Sequence, residues 1–181
     1  MVYLFLAQGF EEIEAIAPLD ILRRADIEVK TVGIGGKLIT GGHGITVTAD
    51  LSDGEVEPNP NVECIILPGG NIGTLNLSKS QKLEAFIDYA MRNGRLSAAR
   101  CAAPTILGDT GRLVGRNATC YPGLEKRLRG ANYLELPVVC DRNIITAWGP
   151  GASVEFGFEI LDYLKGSAAA KETGDSMLCI L

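Results

Sequence analysis

The sequence predicts an α/β fold with a mostly parallel central sheet. Short apolar runs, typical of strands covered on both faces, alternate with segments of helical periodicity along nearly the whole chain. Of the 181 residues, 46% are hydrophobic and 22% are charged, which is ordinary for a soluble globular protein. Because the sequence contains no domain boundary, internal repeat or low-complexity segment, we expect residues 1–181 to form a single domain.

The strands are predicted from apolar runs and from alternation that ends in turn residues. They lie at 2–7, 27–34, 62–67, 95–101 and 117–121, with two hairpins at 37–50 and 134–148. The first hairpin contains a glycine turn, and the second turns at residues 141–143. In an open sheet of this kind, functional groups gather where the parallel strands end.

The helices are predicted from apolar residues at helical spacing. They lie at 11–25, 78–94, 103–111, 122–130 and 151–166. Pro18 falls inside the first helix, where we expect a kink or a restart. Ser78 and Gln81 have capping-box spacing for the second helix, and Gly94 is its expected stop. The tail 167–181 ends in "MLCIL", and we expect this apolar end to dock against the rest of the protein.

Charge and cysteine content exclude several classes of function. A net charge of −5 with no basic stripe argues against a nucleic-acid partner. The apolar N-terminus is too short to span a bilayer and lacks the features of a signal peptide, so we expect a cytoplasmic protein with no membrane partner. The five cysteines are widely spread, and His43 is the single histidine. We therefore expect neither a metal site nor a disulfide framework.

Cys101 stands out in the stretch "SAARCAAPT" because it falls where a predicted strand turns into a helix. A sharp strand–turn–helix connection lifts one side chain above the sheet, in the arrangement called a nucleophile elbow. Small neighbours such as Ala102 suit so tight a turn, and Pro104 suits the first turn of the helix. A helix N-terminus would also lower the pKa of the thiol. The alternative is a buried packing cysteine.

Two other strand ends carry residues that can join Cys101. Glu14 follows the first strand and can point inward, whereas Glu11 and Glu12 fit a solvated helix start. A carboxyl buried beside a thiolate would have a raised pKa and could donate a hydrogen bond or move a proton. Gly69 and Gly70 follow another strand, and their N–H groups could stabilise an oxyanion.

Arg100 precedes the cysteine at the end of a strand that is predicted to be buried. A charge at such a position needs a partner. The sequence does not say which residue that partner is.

Four stretches in order resemble the DJ-1 family of the DJ-1/ThiJ/PfpI superfamily: "GFEEIEAIAPLDILRRA", "LPGGNIGTLNLS", "AARCAAPTILGDTG" and "GPGASVEFGFEIL". The resemblance covers almost the whole chain. It implies a flavodoxin-like three-layer sandwich, usually as a homodimer and without a cofactor. It also implies that Cys101 is a reactive, oxidation-sensitive cysteine, that Glu14 is its carboxylic partner, and that Gly69 and Gly70 supply backbone donors near the thiol.

The chain departs from the family pattern at its histidines. Enzymatic members often carry a histidine in the segment that matches "TCYP", where this chain has Tyr121. His43 is expected to be exposed or at a subunit contact rather than catalytic. The peptidases tend to have histidine directly after the cysteine, where Ala102 stands here. The glutamine amidotransferases need a histidine downstream of the cysteine, and this chain has none. Trp148 precedes a loop that matches one near the dimer contact, and it is a candidate for lining the pocket.

Two functions fit these residues, and the resemblance adds a third. The first is cofactor-free glyoxalase or deglycase chemistry on small reactive carbonyls. The second is a redox sensor whose Cys101 is oxidised to sulfinic acid, and the missing histidine slightly favours it. A chaperone or binding role rests on the resemblance alone.

Overall fold

The computed structural model describes residues 1–179 and places seven strands in one sheet. The strands of the molecule are β1 (Val2–Leu6), β2 (Val29–Gly33), β3 (Leu38–Thr40), β4 (Thr46–Thr48), β5 (Leu51–Ser52), β6 (Cys64–Leu67), β7 (Leu96–Arg100), β8 (Asn117–Ala118), β9 (Asn132–Tyr133), β10 (Val138–Asp141) and β11 (Ile144–Ala147). The sheet has the order β10-β11-β7-β6-β1-β2-β5, and only β10 runs antiparallel to its neighbour. The mostly parallel sheet is confirmed.

Helices cover both faces of this sheet. They are α1 (Glu12–Arg24), α2 (Asn71–Leu77), α3 (Gln81–Arg92), α4 (Pro104–Asp109), α5 (Ser153–Lys165) and α6 (Ser167–Ser176). One core cluster joins the sheet to α3 and α4, and the other joins it to α1, α5 and α6. Because each strand alternates its side chains between the faces, the buried strands supply both clusters. The result is the predicted three-layer α/β sandwich.

Four neighbouring strands end side by side at one edge of the sheet. In the order β11-β7-β6-β1, they lead into Trp148, Cys101, Gly69 and the turn before α1. The predicted strand ends are therefore adjacent in space, as the carboxyl ends of parallel strands must be.

The segment between β6 and α3 differs from the prediction. Residues Asn71–Leu77 form α2, and the next helix begins at Gln81 rather than at Ser78. Ser80 is the N-cap of α3, because its side chain accepts a hydrogen bond from the N–H of Leu83. Ser78 instead ends α2. Gly94 follows α3 with a φ of +63°, which agrees with its predicted role as the stop.

A kink or a restart was predicted at Pro18, and the first helix continues through it as one element without a restart. A Cβ at Gly157 of α5 would lie 3.0 Å from the Cα of Pro18, so the two helices touch at this point. Close packing of α5 therefore stabilises the proline turn of α1.

The predicted elements around 117–130 are shorter in the structure. The strand 117–121 is reduced to β8, and 122–130 forms one 3₁₀ turn, Glu125–Arg127, instead of a helix. The hairpin 134–148 is present as β10 and β11, with Arg142 at a φ of +56° in its turn.

The C-terminal tail forms α6, which packs on α5. Beyond it, Met177 and Cys179 contact the second core cluster, whereas Leu178 is 90% exposed. Ile180 and Leu181, the end of the predicted docking segment, lie outside the described residues. Within 1–179, every helix is too short or too polar to cross a lipid bilayer.

Candidate active site

Cys101 lies at the turn between β7 and α4 with a φ of +56°. This left-handed conformation is rare outside glycine and costs about 1–3 kcal/mol. The N–H of Cys101 donates to the carbonyl oxygens of Ala147 (2.8 Å) and Trp148 (3.0 Å), and its own carbonyl accepts from the N–H of Tyr121 (2.9 Å). These bonds fix the backbone on both sides, and the turn is the nucleophile elbow that the sequence predicts.

Glu14 faces the same place from α1 and is completely buried. Its Oε2 accepts a hydrogen bond of 2.8 Å from the N–H of Gly69. Glu11, at the N-cap of the helix, accepts from the N–H of Glu14 at 2.8 Å and so fixes the start of α1. The first turn of α1 therefore presents one carboxyl to the strand ends.

The two glycines after β6 allow these groups to approach one another. A Cβ at Gly69 would lie 2.5 Å from both Cys101 Cβ and Glu14 Oε2, and 3.0 Å from Cys101 Sγ. Gly70 has a φ of +88°, and a Cβ there would lie 2.5 Å from the carbonyl oxygen of Gly9. The Gly69 N–H is bound to Glu14 rather than directed at the thiol. The N–H groups that lower the pKa of the Cys101 thiol belong to Gly70 and Ala102.

The thiol and the carboxyl perturb each other. Burial, together with the charge and hydrogen bonding of Glu14, raises the pKa of Cys101 to about 12, although the N–H groups of Gly70 and Ala102 lower it. Burial raises the pKa of Glu14 to about 6, against the opposing effects of Arg100, Cys101 and Gly69. The sequence predicted a lowered thiol pKa from the helix N-terminus. Burial beside a carboxylate outweighs that effect while Glu14 is ionised.

Arg100 has no solvent exposure and is the largest fully buried side chain of the described residues. Its Nε lies 3.9 Å from Glu14 Oε2, and its Nη2 donates to the carbonyl oxygen of Gly149. The guanidinium carbon is 5.1 Å from the centre of the Phe156 ring. The partner that the sequence left unnamed is therefore Glu14, and the guanidinium belongs to the site.

A cavity of about 390 Å³ lies beside the elbow. Its lining residues are Pro122, Pro137, Trp148, Gly149, Pro150, Gly151, Ala152 and Glu155. Trp148 thus lines a cavity, although Cys101 is not among its lining residues. Tyr121 is half exposed, and its ring lies against Gly149, where an added Cβ would be 3.1 Å away. Tyr121 is therefore next to Gly149 of the cavity lining and is hydrogen-bonded to the backbone of Cys101.

His43 binds Glu12 instead of Cys101. Its Nδ1 is 2.8 Å from Glu12 Oε2, and its side chain is 72% exposed, as expected. Glu12 is buried under the β3–β4 hairpin, so its predicted place on a solvated face is wrong. Burial alone would raise the pKa of Glu12, but the ring and backbone hydrogen bonds from His43 lower it.

Glu11, Glu12 and His43 have potential ligand atoms within 4.8 Å of one another. Each of the three already takes part in a hydrogen bond or ion pair within the described chain. His43 is far from Glu11 and Glu12 in the sequence, so no short spacing of ligand residues indicated this group.

Comparison with known proteins agrees with this geometry. The model of the DJ-1/PfpI family matches residues 1–163. The chain belongs to the DJ-1/PfpI family. It is 36% identical to a Parkinson disease protein 7 homolog of Danio rerio, over 92% of this chain and 90% of that protein. It is 34% identical to protein dj-1beta of Drosophila melanogaster, over 96% of this chain and 94% of that protein.

Solved structures of DJ-1 proteins have the same fold. An oxidized DJ-1 of Toxoplasma gondii superimposes with a TM-score of 0.95 at 31% identity, covering 99% of this chain and 98% of that one. A mutant DJ-1 superfamily protein of Salmonella typhimurium gives 0.94 at 32% identity, with the same coverage. Because these matches cover almost the full length of both chains, they confirm the DJ-1 fold over the whole sheet.

Sequence reasoning missed one contact within the candidate site and one beside the start of α1. Arg100 was noticed as a charge at the end of a strand, but its contacts with Glu14 and Phe156 depend on how α1 and α5 pack. The Glu12–His43 pair joins residues that the hairpin brings together. The one signal in the sequence was for Arg100, which is a charged residue within a run of small strand residues.

Proposed function

We propose that this protein acts in defence against reactive carbonyls and oxidants, with Cys101 as its reactive group. Membership of the DJ-1/PfpI family supports a DJ-1-like role in stress response. The observation that carries the proposal is the elbow itself, where a cysteine in a strained conformation faces a buried carboxyl whose pKa is raised to about 6. Strain and perturbed pKa values of this kind gather at functional sites.

The carbonyl reaction begins with addition of the Cys101 thiolate to the aldehyde carbon of a small dicarbonyl such as methylglyoxal. A C–S bond forms, and the electron pair of the C=O bond moves to oxygen, which takes a proton from Glu14. The N–H groups of Gly70 and Ala102 lie beside the sulfur and can stabilise the developing oxyanion. No electron acceptor is needed for this step.

Glu14 then carries a proton between the two carbons of the bound dicarbonyl. It takes the proton from the carbon bonded to sulfur and returns one to the neighbouring carbon, which leaves a thioester. Water hydrolyses the thioester to lactate and restores the thiol, so the sum is methylglyoxal plus water giving lactate. A pKa near 6 suits this exchange near neutral pH. Without a histidine, we expect slow turnover.

The test is lactate formation from methylglyoxal by the wild-type protein and by Cys101→Ala. The matched control is Cys140→Ala, because Cys140 is an exposed thiol on the edge strand β10. We expect the first variant to be inactive and the control to keep the wild-type rate. A Cys101→Ala protein that formed lactate at the wild-type rate would overturn the proposal.

A second candidate function is oxidation of Cys101 as a redox signal. The thiolate sulfur attacks peroxide and forms an S–O bond while the O–O bond breaks and water leaves, and a second peroxide gives the sulfinate. The Gly70 and Ala102 N–H groups and a protonated Glu14 would hold the new oxygens. One similar solved structure is named an oxidized DJ-1, which favours this candidate.

Mild peroxide followed by site-resolved mass spectrometry tests this second function. We expect Cys101 to gain oxygen before Cys140, because the N–H groups of Gly70 and Ala102 favour a thiolate at Cys101, whereas no such donor among the described residues offsets the effect of burial and Glu159 on the Cys140 thiol. Oxidation of Cys140 first, or of neither residue, would contradict it.

We also propose that the protein is a cytoplasmic homodimer. A groove between α1 and the β3–β4 hairpin is lined by apolar side chains, among them Ile13, Ile16 and Ile45, each more than 40% exposed. Exposed apolar surface of this kind is typical of an interface. A second copy of the chain, covering its own equivalent groove, fits a two-fold contact.

A further inference from the structure

Arg100 follows the alternation of β7 and points to the face of the sheet that carries α1 and α5. Ala98, two residues earlier, belongs to the same core cluster as Phe156, and residues two apart share a face. The elbow at Cys101 then breaks the alternation. Consequently, the guanidinium and the thiol approach Glu14 from neighbouring positions of one strand end.

The surroundings of this guanidinium contain few charges. The titratable groups that act on it are Glu14 and Glu11 from α1 and Cys101 from its own strand end. From α5 it meets the Phe156 ring, and from the loop after β11 the carbonyl oxygen of Gly149. Among the described residues, Glu14 is the one carboxylate within 4 Å of it.

A wholly buried cation requires a buried anion, because an uncompensated charge in a protein interior costs several kcal/mol. Glu14 and Cys101 can provide that anion in two ways. Either the carboxyl is ionised and the thiol keeps its proton, or the carboxyl keeps the proton and the sulfur is a thiolate. Both arrangements are neutral together with Arg100, whereas a fully protonated pair leaves Arg100 uncompensated.

We propose that Arg100 is a positioning residue that holds one negative charge on the Glu14–Cys101 pair, in a chain that has no histidine beside its cysteine. The single remaining proton then moves between carboxyl and thiol without changing the net charge of the site. Tyr121, which stands in the histidine's place, cannot carry a positive charge. The inference rests on the proposed function, since it concerns the reactivity of Cys101.

The test is the rate of Cys101 alkylation by iodoacetamide as a function of pH, resolved by mass spectrometry, in wild type, Arg100→Met and Arg100→Lys. Removing an opposite charge at this range shifts a pKa by about 1–3 units. In Arg100→Met, the rise in rate should therefore move from about pH 6 to higher pH, and the rate at pH 7 should fall by about twofold for a shift of one unit and about a hundredfold for a shift of three. Arg100→Lys restores a cation and should return the profile towards wild type.

Arg112→Met is the matched control. Arg112 is also largely buried, but it pairs with Glu84 and Asp88 of α3 on the other face of the sheet. Its loss should lower the melting temperature and leave the alkylation profile in place. A shift of equal size in this control would show that the Arg100 effect is merely structural.

The proposed function and the role of Arg100 would fail with different alkylation results. An unreactive wild-type Cys101 would overturn the proposed function, whereas a reactive wild type with an unchanged Arg100→Met profile would overturn the role of Arg100 alone. If Arg100→Met does not fold, Glu14→Gln decides, because Arg100 then faces the thiol without a competing carboxylate. An alkylation midpoint below about 8.5, the ordinary thiol value, supports the inference, and a midpoint at or above it contradicts it.

Discussion

Cys101 and Glu14 form a coupled pair whose protons cannot be assigned to one residue. Burial raises the pKa of Glu14 to about 6, although the hydrogen bond with Cys101 lowers it, and burial together with Glu14 raises the pKa of Cys101 to about 12. In such a pair, the first ionisation belongs to the two groups together and cannot be assigned to either residue. Between the two values one proton is shared, and a constant fraction of the molecules carries a thiolate.

This coupling predicts the pH dependence of Cys101 alkylation. In the wild type, the rate should rise through about pH 6, stay level over several pH units and rise again only at strongly alkaline pH. Glu14→Gln should remove the level region and leave one rise, since only one proton remains to be lost. Site-resolved alkylation by iodoacetamide measures both profiles. A single wild-type rise centred near the ordinary thiol value of about 8.5 would show that the groups are uncoupled.

The contact at Gly69 predicts the effect of adding one methyl group. In Gly69→Ala the new Cβ would overlap Cys101 Cβ and Glu14 Oε2, both 2.5 Å away, so the pair must separate. We expect a loss of lactate formation of at least about tenfold and a destabilisation of about 1–3 kcal/mol. Activity and urea unfolding measure the two effects. Gly151→Ala, where an added Cβ meets nothing within 4 Å, is the control and should change neither.

At the scale of elements, the capping of α3 shows what local sequence can decide. Two serines, Ser78 and Ser80, precede the apolar periodicity, and both are good caps in isolation. Ser80 takes the role because α2 ends at Ser78, which bonds back to Leu75. Tertiary contacts that form α2 therefore set the start of α3.

Because Ser80 is the cap of α3, replacing it should lower the free energy of unfolding more than replacing Ser78. Ser80→Ala removes the bond to the N–H of Leu83 and should lower the free energy of unfolding by about 0.5–2 kcal/mol. Ser78→Ala removes a bond at an exposed helix end and should cost less. Urea denaturation compares them, and a larger cost at Ser78 would mean that the helix starts where the sequence suggested.

Strong periodicity made the long elements predictable, while the short ones depended on packing. The alternation and apolar runs of β1, β2, β6, β7 and β11 are visible in the sequence, as are α1, α3 and α5. Helix α2 contains Gly73, and an added Cβ there would lie 2.7 Å from the Cα of Phe10. Its stability comes from that close approach rather than from helix propensity, which is why the sequence did not predict it.

At the scale of the molecule, buried Glu14 makes stability depend on pH. Its pKa in the folded protein, about 6, exceeds the unfolded value of about 4.3. The folded state therefore binds more protons between these values, and the stabilisation present below about pH 4.3 is lost as pH rises through 6. The loss amounts to about 2 kcal/mol.

Urea unfolding between pH 4.5 and 7.5 measures this loss. The wild-type free energy of unfolding should fall relative to that of Glu14→Gln as pH rises, because the variant has no carboxyl to titrate. The difference between the two proteins removes the contribution of all other carboxyls. A difference that stayed constant over this range would mean that Glu14 does not titrate there.

The apolar groove on α1 predicts an effect on assembly. Ile16→Glu places a charge among Ile13, Ile45 and Val47, and should convert a dimer to a monomer in light scattering. Leu136→Glu, an exposed apolar residue elsewhere on the surface, should leave the mass unchanged. A wild type that is monomeric at working concentration would contradict the proposed dimer.

The sequence alone predicted the α/β fold with a mostly parallel sheet, and it offered the elbow at Cys101 and an inward Glu14 as candidates, because these follow from periodicity and from turn chemistry within a few residues. The tertiary structure decided what surrounds them. It brought Arg100 to within 3.9 Å of Glu14, bound the Gly69 N–H to that carboxyl and placed His43 on Glu12. Each of these contacts joins residues more than 25 positions apart, and their energies depend on burial, which no local pattern specifies.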